Sequence, residues 1–126
     1  MNERVQIIEY KNKKIILVDL SNLSIEEILN IFPIYTEMAL STRINLVAMD
    51  ITNTYTDKRI KEESIESSNK VRAALGEQHI ALVGIRGIQK IIANAINRNQ
   101  HFAATREEAY EWLFKKSTEQ AQKLLK

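Results

Sequence analysis

Lys14-Ile15-Ile16-Leu17-Val18-Asp19-Leu20-Ser21-Asn22 decides how the rest of the chain is read. Its nearly continuous apolar run suits a strand covered on both faces, and it stops at a carboxylate, a hydroxyl and an asparagine. Leu23 then precedes Ser24-Ile25-Glu26-Glu27, which has the spacing of a capping box. The Ser24 hydroxyl would accept from the Glu27 amide and the Glu27 carboxylate would reach back to the Ser24 amide, with Leu23 and Ile28 as a hydrophobic staple. A buried strand that turns at once into a capped helix is half of a parallel crossover.

Upstream, Val5 to Tyr10 is a more polar strand folded back by Lys11-Asn12-Lys13, so a hairpin places it antiparallel at a sheet edge. Downstream, Ile25, Ile28, Leu29, Phe32, Tyr35 and Ala39 keep helical spacing, with a kink expected at Pro33. Ile44 to Ile51 reads as a third strand, and Thr54 to Asp57 offers caps for a helix that Gly76 ends in the left-handed conformation. The inner stripe of that second helix is thin (Ile60, Ser64, Ser67, Val71, Leu75), and its small residues, Ser68 included, favour close packing over a cavity. Ile80 to Ile85 is a fourth strand, and Gly87 leads into a helix with Ile88, Ile91, Ile92, Ala95 and Ile96 on one side. His101 to Ala104 is a short last strand, and Thr105-Arg106-Glu107-Glu108 is a second capping box opening a helix through Ala109, Trp112 and Leu113.

The expected architecture is one α/β domain over residues 1–126, with an exposed helical extension at 115–126. A mostly parallel sheet of four to five strands, an antiparallel N-terminal edge strand and about four helices make it up. Leu17, Val18, Leu46, Val47, Leu82 and Val83 belong to its core, with the Trp112 ring on the sheet or a neighbouring helix.

Composition narrows the function. A chain of 126 residues supports one core, and 44% hydrophobic with 27% charged residues excludes a disordered chain. The formal charge of +2 is too small for a protein organised around nucleic acid, and the runs Lys11, Lys13, Lys14 and Lys58, Arg59, Lys61 read as solvated faces. With no cysteine, thiolate metal sites, redox thiols and a Cys nucleophile are excluded, and isolated His79 and His101 leave little for zinc. No apolar run approaches the ~20 residues of a membrane span, and the first residues lead into a strand instead of a signal peptide. That points to a cytoplasmic protein, not an integral membrane one.

Asp19-Leu20-Ser21-Asn22 is echoed thirty-one residues later by Asp50-Ile51-Thr52-Asn53. Turn chemistry explains such residues without any function: Asp and Asn satisfy amides where a strand stops, and Asn tolerates positive φ. The carboxyl ends of parallel strands are also where ligands and partners bind. Asp19, Ser21, Asp50, Thr52, Asn53, Thr54 and Tyr55, with Arg86 from the next turn, are therefore the candidate binding or regulatory residues, near helix N-termini that favour an anion or an attached phosphate. Gly84-Ile85-Arg86-Gly87 lacks the residues of a triphosphate or dinucleotide loop, so Gly84 reads as a close-packing residue. Asp19 and Asp50 raise acid-base or Mg²⁺ chemistry, but no His motif, serine elbow or Cys accompanies them. The residues point to a protein that is no enzyme, holds no metal and needs no cofactor. A protein partner, a second copy of the chain included, is the expected ligand, with a small anionic or lipid ligand at the same edge as the alternative.

The Asp19-Leu20-Ser21 strand end, Asp50-Ile51-Thr52-Asn53-Thr54, the run from Ala81 to Ile92 and Thr105 to Leu113 together resemble the SpoIIAA-like family, the STAS-related domains grouped with the CRAL-TRIO lipid-binding fold. The resemblance covers about Val5 to Phe114. It implies a bacterial regulatory or binding module without catalysis. In the anti-sigma-factor antagonists of that group, a Ser directly after an Asp at the start of the second helix is phosphorylated, and that surface binds the partner. Here Asp50 is followed by Ile51, with hydroxyls at Thr52 and Thr54.

Overall fold

Lys11 and Asn12 both take positive φ, 49° and 69°, the backbone twist that closes a two-residue hairpin without splaying its strands. In the computed structural model, which describes residues 3–84 and 100–124, that turn joins β1 (Val5–Tyr10) to β2 (Lys13–Asp19). The pair is antiparallel, with Val5 opposite Val18 and Tyr10 opposite Lys13. β3 (Leu46–Asp50), β4 (His79–Val83) and β5 (Gln100–Ala103) then add in parallel, in the spatial order β1-β2-β3-β4-β5. The expected architecture is thus met, with the polar first strand at an edge.

Because each new strand is added on the same side, crossovers of one hand bring α1 (Ile25–Thr42) and α2 (Lys58–Leu75) to the same face of the sheet. Ile16, Val18, Val47, Met49, Ile80 and Leu82 face these helices, packing with Ile28, Phe32, Tyr35 and Ala39 of α1 and Val71 of α2. The alternate residues Ile15, Leu17, Ala48, Ala81, Val83 and Ala103 point the other way, to Ala109 and Leu113 of α3 (Arg106–Leu124). The two-residue period of the strands therefore fills two cores at once, which is why β2 and β3 read as continuous apolar runs. All six residues assigned to the core from sequence are buried.

The capping box at Ser24 forms, with Glu27 N donating to Ser24 Oγ at 3.2 Å and Ser24 N to Glu27 Oε1 at 3.1 Å. α1 continues unbroken through Pro33, whose exposed position turns the missing amide toward water. Asp57 alone caps α2, its Oδ1 accepting from Ile60 N at 3.0 Å. Ser67 and Ser68 are buried, and the Thr36 and Ser67 hydroxyls meet at 2.5 Å, so the small residues do bring the two helices together. Behind them Gln78 Nε2 donates to the Tyr35 hydroxyl at 2.5 Å and Ser68 Oγ to Gln78 Oε1 at 3.2 Å. Burial pushes the Tyr35 phenol up to about 12, against the opposing hydrogen bonds of Gln78 and Ser67.

The second capping box forms only by half. Thr105 Oγ1 accepts from Glu108 N at 3.2 Å, but the Glu108 carboxylate accepts from Ala104 N at 2.9 Å, one residue before the one the motif requires. Trp112 lies on the sheet, its ring stacked on His101 at 4.6 Å and edge-on to His79 at 6.2 Å. Lys115 and Glu119 are exposed, whereas Lys116, Ser117 and Thr118 are half-buried. The helix expected after Gly87 lies outside the described residues, of which no helix is long and apolar enough to cross a membrane.

Candidate functional site

Register sets the two echoed turns side by side: Asp19 is the partner of Asp50 across the β2–β3 ladder. Pairing continues past the strand ends, with Leu20 N donating to Asp50 O at 2.8 Å and Asn22 N to Thr52 O at 3.0 Å. Inside each turn the carboxylate does the same thing. Asp19 Oδ1 accepts from Ser21 N at 3.1 Å and Ser21 Oγ at 2.5 Å, and Asp50 Oδ1 accepts from Thr52 N at 3.0 Å and Thr52 Oγ1 at 2.6 Å. The asparagine that follows takes the left-handed conformation in both, φ 62° at Asn22 and 54° at Asn53, a state asparagine tolerates. Their side chains then join, Asn53 Nδ2 donating to Asn22 Oδ1 at 2.8 Å.

Two arginines close the arrangement from outside the turns. Arg106, the first residue of α3, donates through Nε and lies with Nη2 3.0 Å from Asp50 Oδ2, while the same Nη2 stands 3.4 Å from Asp19 Oδ1. Arg4 donates from Nη1 to Ser21 O at 2.9 Å and lies 3.6 Å from Asp19 Oδ1. Burial alone would raise the Asp19 carboxyl, but the Ser21 hydroxyl and amide, then Arg106 and Arg4, together hold it below the usual carboxylate range. Burial likewise opposes the charge on Arg106, and Asp50 and Asp19 outweigh it. An Asp19 carboxylate held ionised and filled with donors is poorly suited to give up or take protons near neutral pH. Among the described residues no group of three or more His, Asp or Glu side chains is placed to hold a metal.

The outer rim is different. Asn53 is exposed and Tyr55 is 74% exposed, whereas Thr54 is half-buried and its hydroxyl donates to Ile51 O at 2.6 Å. Arg59 of α2 reaches Glu26 of α1 at 2.7 Å, tying the starts of the two helices together beside this rim. Ile60's amide, more than Arg59, holds the Asp57 carboxyl below its usual range at the α2 cap.

Of the residues singled out from sequence, Asp19, Ser21, Asp50, Thr52 and Asn53 form one network, Thr54 and Tyr55 flank it, and Arg86 lies outside the described residues. One sequence expectation is corrected. The sequence reading sets the family's Asp-Ser pair against Asp50-Ile51, but α2 starts at Lys58 behind its cap Asp57, so the pair at the helix start is Asp57-Lys58. Thr54, placed by sequence among the caps, precedes the cap and serves the turn. Arg106 and Arg4 were missed. Arg106 had a signal, since a helix that follows a parallel strand begins at this same edge; Arg4 had none.

No protein-family model matches the chain, and no curated protein does. A solved structure of a serine-to-glutamate variant of Moorella thermoacetica RsbS matches with a TM-score of 0.66 at 16% identity, over 92% of this chain and 99% of that one. The likeness is one of fold, and the five-stranded α/β domain is the SpoIIAA-like fold that the sequence resemblance implied.

Proposed function

We propose that the chain is a non-catalytic regulatory module that binds a protein partner through the carboxyl edge of its sheet. The observation that carries the reading is the doubled turn: its carboxylates and hydroxyls are satisfied internally, and it presents Asn53 and the aromatic Tyr55 outward beside the starts of α1 and α2. Tyrosine is among the residues enriched at protein interfaces and their hot spots. The SpoIIAA-like resemblance supports the same surface and the same absence of catalysis. Lys58, 87% exposed, follows the capping Asp where the antagonists carry a phosphorylated serine, so the edge holds a fixed positive charge there instead of a switchable one.

The test is capture by the full chain compared with Tyr55→Ala and Asn53→Ala, with Lys70→Ala on the outer face of α2 as control. A stoichiometric partner retained by the control and lost by both edge variants is the expected result. A partner held equally by all would place the interface elsewhere. Turnover in a metabolite and hydrolase-substrate screen that Asp50→Asn abolishes would overturn the non-catalytic reading.

A further inference from the structure

The amino edge of the sheet, opposite the doubled turn, holds a cavity of about 500 Å³ bordered by the last turn of α2, the loop into β4, the starts of β4 and β5 and the middle of α3. Among the described residues Arg72, Glu77, His79, His101, Trp112 and Lys116 give it its chemistry. His79 is fixed edge-on against Trp112, whose ring is itself held by His101. Its Nε2 is shielded from solvent and makes no hydrogen bond among the described residues, an expensive state for a buried polar atom. One Glu77 oxygen approaches that nitrogen to 3.1 Å without the alignment of a hydrogen bond, from a side chain 48% exposed and able to swing out.

We propose that this cavity binds a small oxyanion, a phosphate or carboxylate group, whose oxygen replaces the Glu77 carboxylate at His79 Nε2 while Arg72 and Lys116 supply the balancing charge. Three observations converge on it. The approach of Glu77 marks a place that an acidic oxygen reaches. The ring nitrogen facing it has no hydrogen-bond partner among the described residues. Two cations from different helices, Arg72 of α2 and Lys116 of α3, line the same space, with Lys116 also paired to Glu119 at 3.4 Å. The groups bearing on His79 pull in both directions. Burial lowers its proton affinity most; Lys116 of α3 and Arg72 of α2 lower it further, against Glu77 in the loop and Glu119 of α3. A bound anion offsets those two cations and offers an acceptor oxygen to the imidazole N–H.

The experiment follows the His79 and Trp112 ring resonances of the full chain during titration with inorganic phosphate and with malonate, sodium chloride serving at matched ionic strength. The expected result is a saturable shift of both rings. Arg72→Gln and Lys116→Gln should each weaken binding about tenfold, and Glu77→Gln should tighten it by removing the competing carboxylate. Saturation by phosphate alone identifies a phosphate site, and saturation by malonate alone a carboxylate site. Shifts linear in concentration and reproduced by chloride would overturn the proposal, as would saturable binding that neither cation variant weakens. With two independent cation variants, loss of folding in one leaves the other decisive. Since the cavity and the doubled turn lie at opposite edges, failure here leaves the partner reading standing.

Discussion

Gly84→Ala should be among the most damaging single-methyl changes in this chain, and the reason lies in the site. Gly84 has φ +84°, and a Cβ built there would stand 2.1 Å from Thr52 Oγ1 and 3.0 Å from both Thr52 Cα and Thr52 Cβ. The backbone conformation alone costs a non-glycine residue ~1–2 kcal/mol. Overpacking against an atom that cannot yield adds typically ~1–3 kcal/mol, and here two of the three contacts are to atoms at or next to the backbone. Thr52 is also held from its far side, by its bonds to Asp50 and by Asn22 N on its carbonyl, so it has nowhere to retreat. The sum is ~2–5 kcal/mol. For a domain of 126 residues, 1 kcal/mol is worth about 4 °C in Tm, which gives a fall of roughly 8–20 °C. Gly76→Ala is the internal control: its φ is +86°, yet nothing lies within 4 Å, so only the conformational ~1–2 kcal/mol remains. Thermal and urea unfolding of both variants, with Thr52→Ala added to Gly84→Ala, separate the two contributions. The added change removes Oγ1 and should restore only part of the loss. A Gly84→Ala protein no less stable than Gly76→Ala would refute the close approach and the turn geometry built on it.

Arg106→Gln removes the cation from Asp50, whose side chain is only 10% exposed, and urea unfolding should show a loss of about 1–2 kcal/mol, less than a fully buried pair because the guanidinium is 39% exposed. Asp19, held below the usual carboxylate range, contributes stability that is complete above that range and lost as the pH falls through its folded value. Tm measured from about pH 6 down to pH 3 should therefore fall less steeply in Asp19→Asn than in the parent. Tyr35→Phe leaves the Gln78 amide without its acceptor, at a cost of about 1–3 kcal/mol in urea unfolding. In the parent the Tyr35 phenol, raised by burial from 10.0 to about 12, should ionise after an ordinary tyrosine, and the fold should lose stability as the pH rises from 10 through that value.

What the sequence made legible and what it hid divide along physical lines. Strands and caps were readable because their causes are local: the apolar run of β2, the Ser24–Glu27 reciprocity and the small serines of α2 each act within a few residues. The doubled turn was readable because Asp19 and Asp50 play the same local part twice, and the ladder needed only to pair. Arg106 was legible only through the place of its helix start at this same edge, since its partner lies fifty-six residues away and no spacing announces the pair itself. That one residue changes the chemistry of the edge. Without it, two neighbouring carboxylates would repel, raise one another's proton affinity and offer acid-base or cation chemistry. With Arg106 shared between them and Arg4 behind Asp19, the pair becomes a charge-balanced clasp joining β2, β3 and the start of α3. An edge spent on holding its own shape is suited to recognition. The opposite edge reverses the pattern: His79 and His101 gave the sequence no motif, yet folding seats both against Trp112 and leaves the His79 Nε2 shielded and, among the described residues, without a hydrogen bond, in a cavity that two cations line. Chemistry left unsatisfied by the fold thus gathers where the sequence was silent, and the residues that looked reactive on paper are the ones the fold has already satisfied.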